Sequence, residues 1–155
     1  SSSGRAVDFG CGTGGLCERL RAMGFRAVGL DQSASMIDVA RAKTSPAIEY
    51  RIGSHADLPS LGTAQVLTCS LVLNYLPRLD DFARDAEALL PPGGILVTAD
   101  LNRPYIAECL AARLIYEDFD SLDEPRAGVL NFGNGVSVPL TIRSEGEYDD
   151  LLLPR

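Results

Sequence analysis

Short apolar stretches alternate with amphipathic ones along the first hundred residues. Ala6-Val7-Asp8-Phe9 reads as a buried strand and runs into the turn Gly10-Cys11-Gly12-Thr13-Gly14-Gly15. Leu16, Leu20 and Met23 then recur at helical spacing until Gly24, a good helix stop. Residues 27–30 predict a second buried strand, ending at Asp31. Ser33 caps a predicted helix carrying Met36, Ile37 and Ala40, which Ser45-Pro46 ends. Residues 48–52 alternate as a third strand, residues 55–63 read as a loop, and residues 66–70 make a fourth strand. Leu79, Phe82, Ala86, Leu89 and Leu90 mark a third helix, closed by Pro91-Pro92-Gly93-Gly94, and residues 95–99 form a fifth strand.

Strands alternating with helices predict an α/β fold with a mostly parallel sheet. Ligands of such sheets bind beyond the carboxyl ends of the strands. The predicted site is therefore the set of loops at residues 8–15, 31, 53–57, 70–75 and 100–102. After Tyr105 the pattern changes. Ile106, Cys109, Leu110 and Leu114 predict a helix, and Asn134-Gly135 marks a two-residue hairpin turn between apolar strands at 129–132 and 136–142. Period-two alternation puts Val136, Val138, Leu140 and Ile142 on one face of that hairpin and Ser137, Thr141 and Arg143 on the other. Ser144 and Glu147 read as a capping box for a last helix. Both ends of the chain are expected to be cut. Residues 1–104 are expected to form a cofactor-binding core, and residues 105–155 an acceptor-side or lid segment of the same domain.

The 155 residues are 46% hydrophobic and 23% charged, an ordinary globular mixture with room for one domain. No apolar run approaches the roughly 20 residues a membrane span needs. The net charge is −7, with the acids concentrated after residue 78. Such a chain lacks the cationic surface that nucleic acid requires, so no nucleic-acid or membrane partner is expected. Cys11, Cys17, Cys69 and Cys109 contain no C-x-x-C pair and there is one histidine. Neither a disulfide framework nor a metal site is expected, and a reducing cytoplasm suits these thiols.

Gly10, Gly12 and Gly15 match G-x-G-x-x-G at a strand-to-helix junction, where backbone can approach a ligand and the helix N-terminus favours a negative group. That pattern suits a dinucleotide pyrophosphate or the carboxylate of an amino-acid-like ligand equally. Asp8, placed on the side of Gly10, would repel a pyrophosphate but suit a ligand carrying an ammonium and a sulfonium. Asp31, 19 residues after Gly12, can accept both hydroxyls of a ribose and would oppose a 2′-phosphate. Its plainer reading is a helix-capping Asp.

Together these residues resemble a known family. Val7-Asp8-Phe9-Gly10-Cys11-Gly12-Thr13-Gly14 looks like the first motif of the Rossmann-like (class I) S-adenosylmethionine-dependent methyltransferases of the small-molecule type. Gly29-Leu30-Asp31-Gln32-Ser33, with Met36 and Ala40, resembles the second, and Gly53-Ser54-His55-Ala56-Asp57-Leu58-Pro59 the adenine-side loop. Residues 70–77 and Leu89-Leu90-Pro91-Pro92-Gly93-Gly94 resemble later segments, so the likeness covers about residues 5–101.

The resemblance implies a three-layer sandwich that binds S-adenosylmethionine and transfers its methyl in line to a small-molecule acceptor. Asp8, Gly10, Cys11 and Gly12 would surround the methionine moiety, and Asp31 would hold the ribose hydroxyls. Gln32 and Met36 would flank the adenine, Asp57 would accept from its amino group, and Ala56 would offer a backbone N–H. Ser70 would lie near the methionine amine and the methyl group. Asn74, Tyr75 and Tyr105 are the acceptor-side candidates. No catalytic base is assigned among His55, Tyr75, Asp100 and Tyr105, and His55 is expected to serve a backbone or surface role. The alternatives are a non-catalytic module binding adenosylmethionine or adenosylhomocysteine, and an NAD-dependent oxidoreductase domain, which Asp8 and Asp57 disfavour. The hairpin around Asn134-Gly135 is expected to act as a lid over the acceptor.

Overall fold

A computed structural model of the chain describes residues 4–101, 116–117, 126–131 and 137–152. Its elements are β1 (Arg5–Phe9), α1 (Gly15–Ala22), β2 (Arg26–Asp31), α2 (Ala34–Lys43), β3 (Glu49–Ile52), β4 (Val66–Ser70), α3 (Leu79–Leu89) and β5 (Ile95–Ala99). They continue with β6 (Tyr116–Glu117), β7 (Arg126–Asn131), β8 (Ser137–Ile142) and α4 (Glu145–Leu152). Two compact units result, one of Ser1–Ser70 with Asp80–Ala99 and one of Leu71–Leu79 with Asp100–Arg155.

In the first unit the strands pair in the order β3-β2-β1-β4-β5, every pair parallel. The chain winds outward from β1 to β3, then returns to the other side of β1 for β4 and β5. The order therefore reverses between β1 and β4, and a crevice opens at the carboxyl ends of the strands at such a point.

Alternation along β1 supplies both layers around the sheet. Ala6 packs with Cys17 and Leu20 of α1, Ile37 and Ala40 of α2, and Tyr50 of β3 in one buried cluster. On the opposite face the Phe9 ring stacks on Phe82 of α3, with centroids 5.7 Å apart. The expected α/β class with a parallel sheet is present.

Local signals placed most boundaries. The Ser33 hydroxyl accepts from the Met36 N–H at the start of α2, and Gly24 (φ 95°) ends the turn after α1. Residues 55–61, expected as loop, instead form a 3-10 helix, His55–Leu61, because Ser54 and Asp57 make a capping box and Leu58 and Leu61 turn inward. Ile52, two residues along the expected alternating strand from the buried Tyr50, is 54% exposed; β3 is an edge strand among the described residues and only Tyr50 along it is buried.

The second unit has an antiparallel sheet of order β6-β7-β8, with Asn131 opposite Ser137 and Arg126 opposite Ile142. The two expected strands thus pair antiparallel, but in a register one residue off the one that a two-residue turn at Asn134-Gly135 sets; that turn and the helix expected over residues 106–114 lie outside the described residues. Glu147 accepts from the Ser144 N–H at 2.8 Å ahead of α4, half of the expected box; the Ser144 hydroxyl donates to the same carboxylate rather than accepting from the backbone. Among the described residues no helix is long and apolar enough to cross a membrane.

Candidate cofactor site and acceptor-side turn

The glycine turn is built by left-handed backbone. Gly10, Gly12 and Gly14 have φ of 74°, 52° and 83°, which L side chains rarely adopt. The N–H groups of Gly10 and Cys11 both donate to the Leu30 carbonyl, at 2.7 and 3.2 Å, tying the turn to the end of β2. A Cβ on Gly14 would stand 2.2 Å from the Tyr50 hydroxyl, and one on Gly29 2.6 Å from the Tyr50 ring. Tyr50 is thus the floor of the turn, and its hydroxyl bonds Thr44 at 3.0 Å. Nothing in the sequence flagged it, because only the parallel register of β2 with β3 brings it beside Gly29.

Asp31 joins two of the expected loops. One carboxylate oxygen accepts from the Gly12 N–H at 2.8 Å and the other from the Ser33 N–H at 2.9 Å. The helix cap itself is Ser33. The Gly53 N–H donates to the Asp31 carbonyl at 3.0 Å, bringing the third loop alongside. Gln32 and Met36 stand exposed at the start of α2.

In the third loop, Asp57 Oδ2 accepts from the Ser54 N–H at 2.8 Å. The Ala56 N–H already donates to Ser54 Oγ at 3.3 Å, so it must share or exchange that partner to meet a ligand. Ser70 is exposed at the end of β4, one residue beyond the Phe9–Cys69 pair.

Asp8 is placed differently from a ligand-facing carboxylate. It is 3% exposed and turned into the unit, accepting from the Thr68 hydroxyl at 2.7 Å and the Cys17 thiol at 3.8 Å. Burial pushes its pKa up to about 6, opposed by those two hydrogen bonds and aided by the nearby Asp31 charge. The Cys17 thiol is raised as well, first by its hydrogen bond with Cys11, then by burial. Cys11, Cys17 and Cys69 are buried thiols that form no disulfide among the described residues. Among the described residues no group of three or more His, Cys, Asp or Glu side chains gathers as a metal site would.

His55 has a definite side-chain partner. Its Nδ1 lies 2.7 Å from Asp85 Oδ2 of α3, and its ring meets Phe9 edge-on at 6.5 Å. The pairing holds the start of the 3-10 helix against α3, and no sequence spacing announces it.

The second unit has its own polar centre, around the short 3-10 turn Leu73–Tyr75. Asn74, expected to touch an acceptor, is 3% exposed and its side chain is spent internally. Its Nδ2 donates to Asp100, its N–H donates to Asp100 Oδ2 at 3.2 Å, and its Oδ1 accepts from the Tyr148 hydroxyl at 3.0 Å. Arg143, expected on the polar face of a hairpin, is 6% exposed and donates to the carbonyls of Leu73 and Leu76, at 3.0 and 2.6 Å. Burial raises Asp100, against hydrogen bonds from backbone N–H groups and the Arg143 charge. Tyr75 is 42% exposed, with its hydroxyl raised by burial and by Asp100. Tyr105 lies outside the described residues.

Residues 7–98 match a family described as "Methyltransferase domain". The chain is 31% identical over 147 residues to a protein named ubiquinone biosynthesis O-methyltransferase from Xanthomonas axonopodis pv. citri, covering 83% of this chain and 62% of that one. A protein of the same name from Mesorhizobium japonicum is 34% identical over 111 residues, covering 69% of this chain and 45% of the relative. The chain therefore spans about half to three-fifths of the length of these relatives. Among solved structures, the PH0226 protein from Pyrococcus horikoshii OT3 superimposes with a TM-score of 0.77 at 20% identity, over 97% of this chain and 72% of that one. An S-adenosylmethionine-dependent methyltransferase from Mesorhizobium loti gives 0.70 at 23% identity, over 97% and 72%. The two structures speak to the fold. Fold, family match and relatives converge: the chain belongs to the Rossmann-like S-adenosylmethionine-dependent methyltransferases.

Proposed function

We propose that this chain carries the S-adenosylmethionine site of an enzyme that methylates a hydroxyl oxygen on a small organic acceptor. The observation that carries the cofactor half is Asp31. Its carboxylate is joined by backbone N–H groups to the glycine turn on one side and the start of α2 on the other. Each oxygen keeps a further lone pair, so a ribose can be held by charge-assisted hydrogen bonds at the same place.

The open backbone at Gly10, Cys11 and Gly12 would take the methionine moiety. Exposed Gln32 and Met36 would flank the adenine, and the Asp57 carboxylate with the Ala56 N–H would meet its polar edge. Ser70 would stand near the methionine amine. Asp8, being buried, would act through the strand and turn it braces rather than by direct contact. The sulfonium supplies an already activated methyl, so the protein has to align the acceptor, exclude water and provide no nucleophile of its own.

Residues 1–104 would form the cofactor part and residues 105–155, with the β7–β8 hairpin as a lid, the acceptor part. Tyr75 is the acceptor-side residue the geometry favours, whereas Asn74 would serve by holding the turn. The names of the curated relatives support an oxygen acceptor on a small molecule, and the net charge of −7 speaks against a nucleic-acid acceptor.

Asp31→Ala should weaken S-adenosylhomocysteine binding by roughly 1.5–3 kcal/mol, about ten- to a hundredfold, in calorimetry. Unchanged affinity would remove Asp31 from the site. Transfer of radiolabelled methyl to phenols and catechols, set against binding alone, separates an enzyme from a non-catalytic binding module.

A further inference from the structure

The capping box at the start of the 3-10 helix is closed on itself. Asp57 Oδ2 accepts from the Ser54 N–H, and the Ala56 and Asp57 N–H groups donate back to the Ser54 hydroxyl and carbonyl. A Cβ on Gly53 would stand 2.7 Å from Asp57 Oδ2, so the carboxylate lies directly against the chain leaving β3. These contacts fix the shape of the box but not where it points. A 3-10 helix has poor hydrogen-bond geometry of its own, and Pro59 removes a donor from this one. Buried Leu58 and Leu61 anchor only its far part.

Among the described residues, two hydrogen bonds tie residues 53–57 to other elements. One is backbone, from the Gly53 N–H to the Asp31 carbonyl at 3.0 Å. The other joins His55 Nδ1 to Asp85 Oδ2 of α3 at 2.7 Å. The carboxylate accepts, so Nδ1 carries the hydrogen. Asp85 is 8% exposed, and the His55 ring lies edge-on to Phe9, which itself stacks on Phe82. A charge-assisted bond sheltered in this way is strong and directional. The other Asp85 oxygen faces Arg84 Nε at 3.4 Å. All of these residues belong to the first compact unit.

We infer that His55 and Asp85 are positioning residues that aim the box at residues 53–57, and that this aim sets the preference for adenine over a 6-oxopurine. The inference rests on the reading above that Asp57 and the Ala56 N–H meet the adenine, and it adds what orients them. Adenine offers an amino donor beside a ring-nitrogen acceptor, the complement of a carboxylate beside an N–H. A 6-oxopurine reverses both groups, so only a well-aimed box tells the two apart.

The test uses the whole 155-residue chain with S-adenosylhomocysteine and S-inosylhomocysteine, followed by calorimetry. The parent should prefer the adenosyl ligand by at least about tenfold. His55→Phe keeps a ring beside Phe9 and removes the nitrogen, and Asp85→Ala removes the acceptor. Each should weaken the adenosyl ligand about tenfold and leave the inosyl ligand within about twofold, erasing the preference. The double variant should be no weaker than either single one, as for two halves of one interaction. His55→Asn, which places an amide N–H where Nδ1 stands, should restore most of the preference. An undiminished preference in His55→Phe and Asp85→Ala would overturn the inference. So would equal losses for both ligands, the mark of a merely structural pair, or His55→Asn as weak as His55→Phe. If His55→Phe does not fold, Asp85→Ala decides alone, and failure of both to fold would make the pair a packing element and overturn the inference. Failure of S-adenosylhomocysteine to bind the parent, or equal binding of the two ligands by the parent, would instead overturn the adenine reading on which the inference stands.

Discussion

The glycine turn and the Leu73–Tyr75 turn are both held by hydrogen bonds to backbone, but the partners come from different places. The glycine turn is served by near neighbours: Leu30 and Asp31 end the adjacent strand, and Gly12 and Asp31 are 19 residues apart. The Leu73–Tyr75 turn is served by side chains from far along the chain, with Arg143 and Leu73 70 residues apart and Tyr148 and Asn74 74 apart. A turn secured within one βαβ unit tolerates change elsewhere. One secured by remote, buried polar groups is only as firm as the segment that brings them.

The largest effect expected from this contrast is in the glycine turn. Gly14→Ala would force a Cβ to 2.2 Å from the Tyr50 hydroxyl at φ 83°, combining overpacking with left-handed strain. A loss of about 3–4 kcal/mol in urea unfolding is expected. A loss under 1 kcal/mol would mean that Tyr50 is not the floor of the turn.

Arg143→Met should cost about 2–3 kcal/mol, because two buried carbonyls lose a charged donor. Its signature is regional. Amide exchange should accelerate over residues 71–76 and 137–152 while residues 5–15 keep their protection. Uniform acceleration across both regions would erase the contrast.

The third test is pH. Asp8 titrates near 6 in the folded chain, against roughly 3.9 in an unfolded one. A raised carboxyl holds its proton longer when folded, so between these values the folded state binds more protons. Stability attributable to Asp8 is therefore fully present below about pH 4 and lost as the pH rises through 6, by roughly 2–3 kcal/mol. Asp8→Asn, which preserves an acceptor for Thr68, should abolish that part of the fall. Parallel stability curves for the two proteins between pH 4 and 7 would place Asp8 in water.

The smallest expected effect is Tyr148→Phe. Losing one neutral hydrogen bond to Asn74 should lower stability by about 1 kcal/mol without altering S-adenosylhomocysteine affinity. A change in that affinity, read by calorimetry, would show that the two turns are coupled.

Much of the region around the glycine turn was readable in the sequence because its determinants are local. Positive φ demands glycine at positions 10, 12 and 14, Ser33 stands where a cap must stand, and apolar runs of strand length alternate with helical spacing. Asp31 was readable for the same reason: it sits at a strand end, a fixed distance after the turn. The 3-10 helix at His55–Leu61 was missed although its capping pair, Ser54 and Asp57, lies in plain order. Pro59 and the short span made a loop the natural reading.

Period-two alternation, applied to Arg143, gave it a polar face and water. It ends instead as a buried guanidinium, because backbone carbonyls at the Leu73–Tyr75 turn offered it partners. Likewise, a strand-end position made Asn74 a candidate for an acceptor, whereas Asp100 and Tyr148 already claim its amide.

By itself, then, the sequence determined the parallel α/β core, the glycine turn and the acidic residue at the end of β2, since spacing and backbone conformational limits act over a few residues. Only the tertiary structure decided that Tyr50 floors the turn, that Asp8 faces inward to Thr68 and Cys17, that His55 pairs with Asp85, and that Arg143 and Asp100 hold Leu73–Tyr75. Those pairings depend on strand register and on which buried polar groups find one another. Neither is encoded in any short stretch of chain.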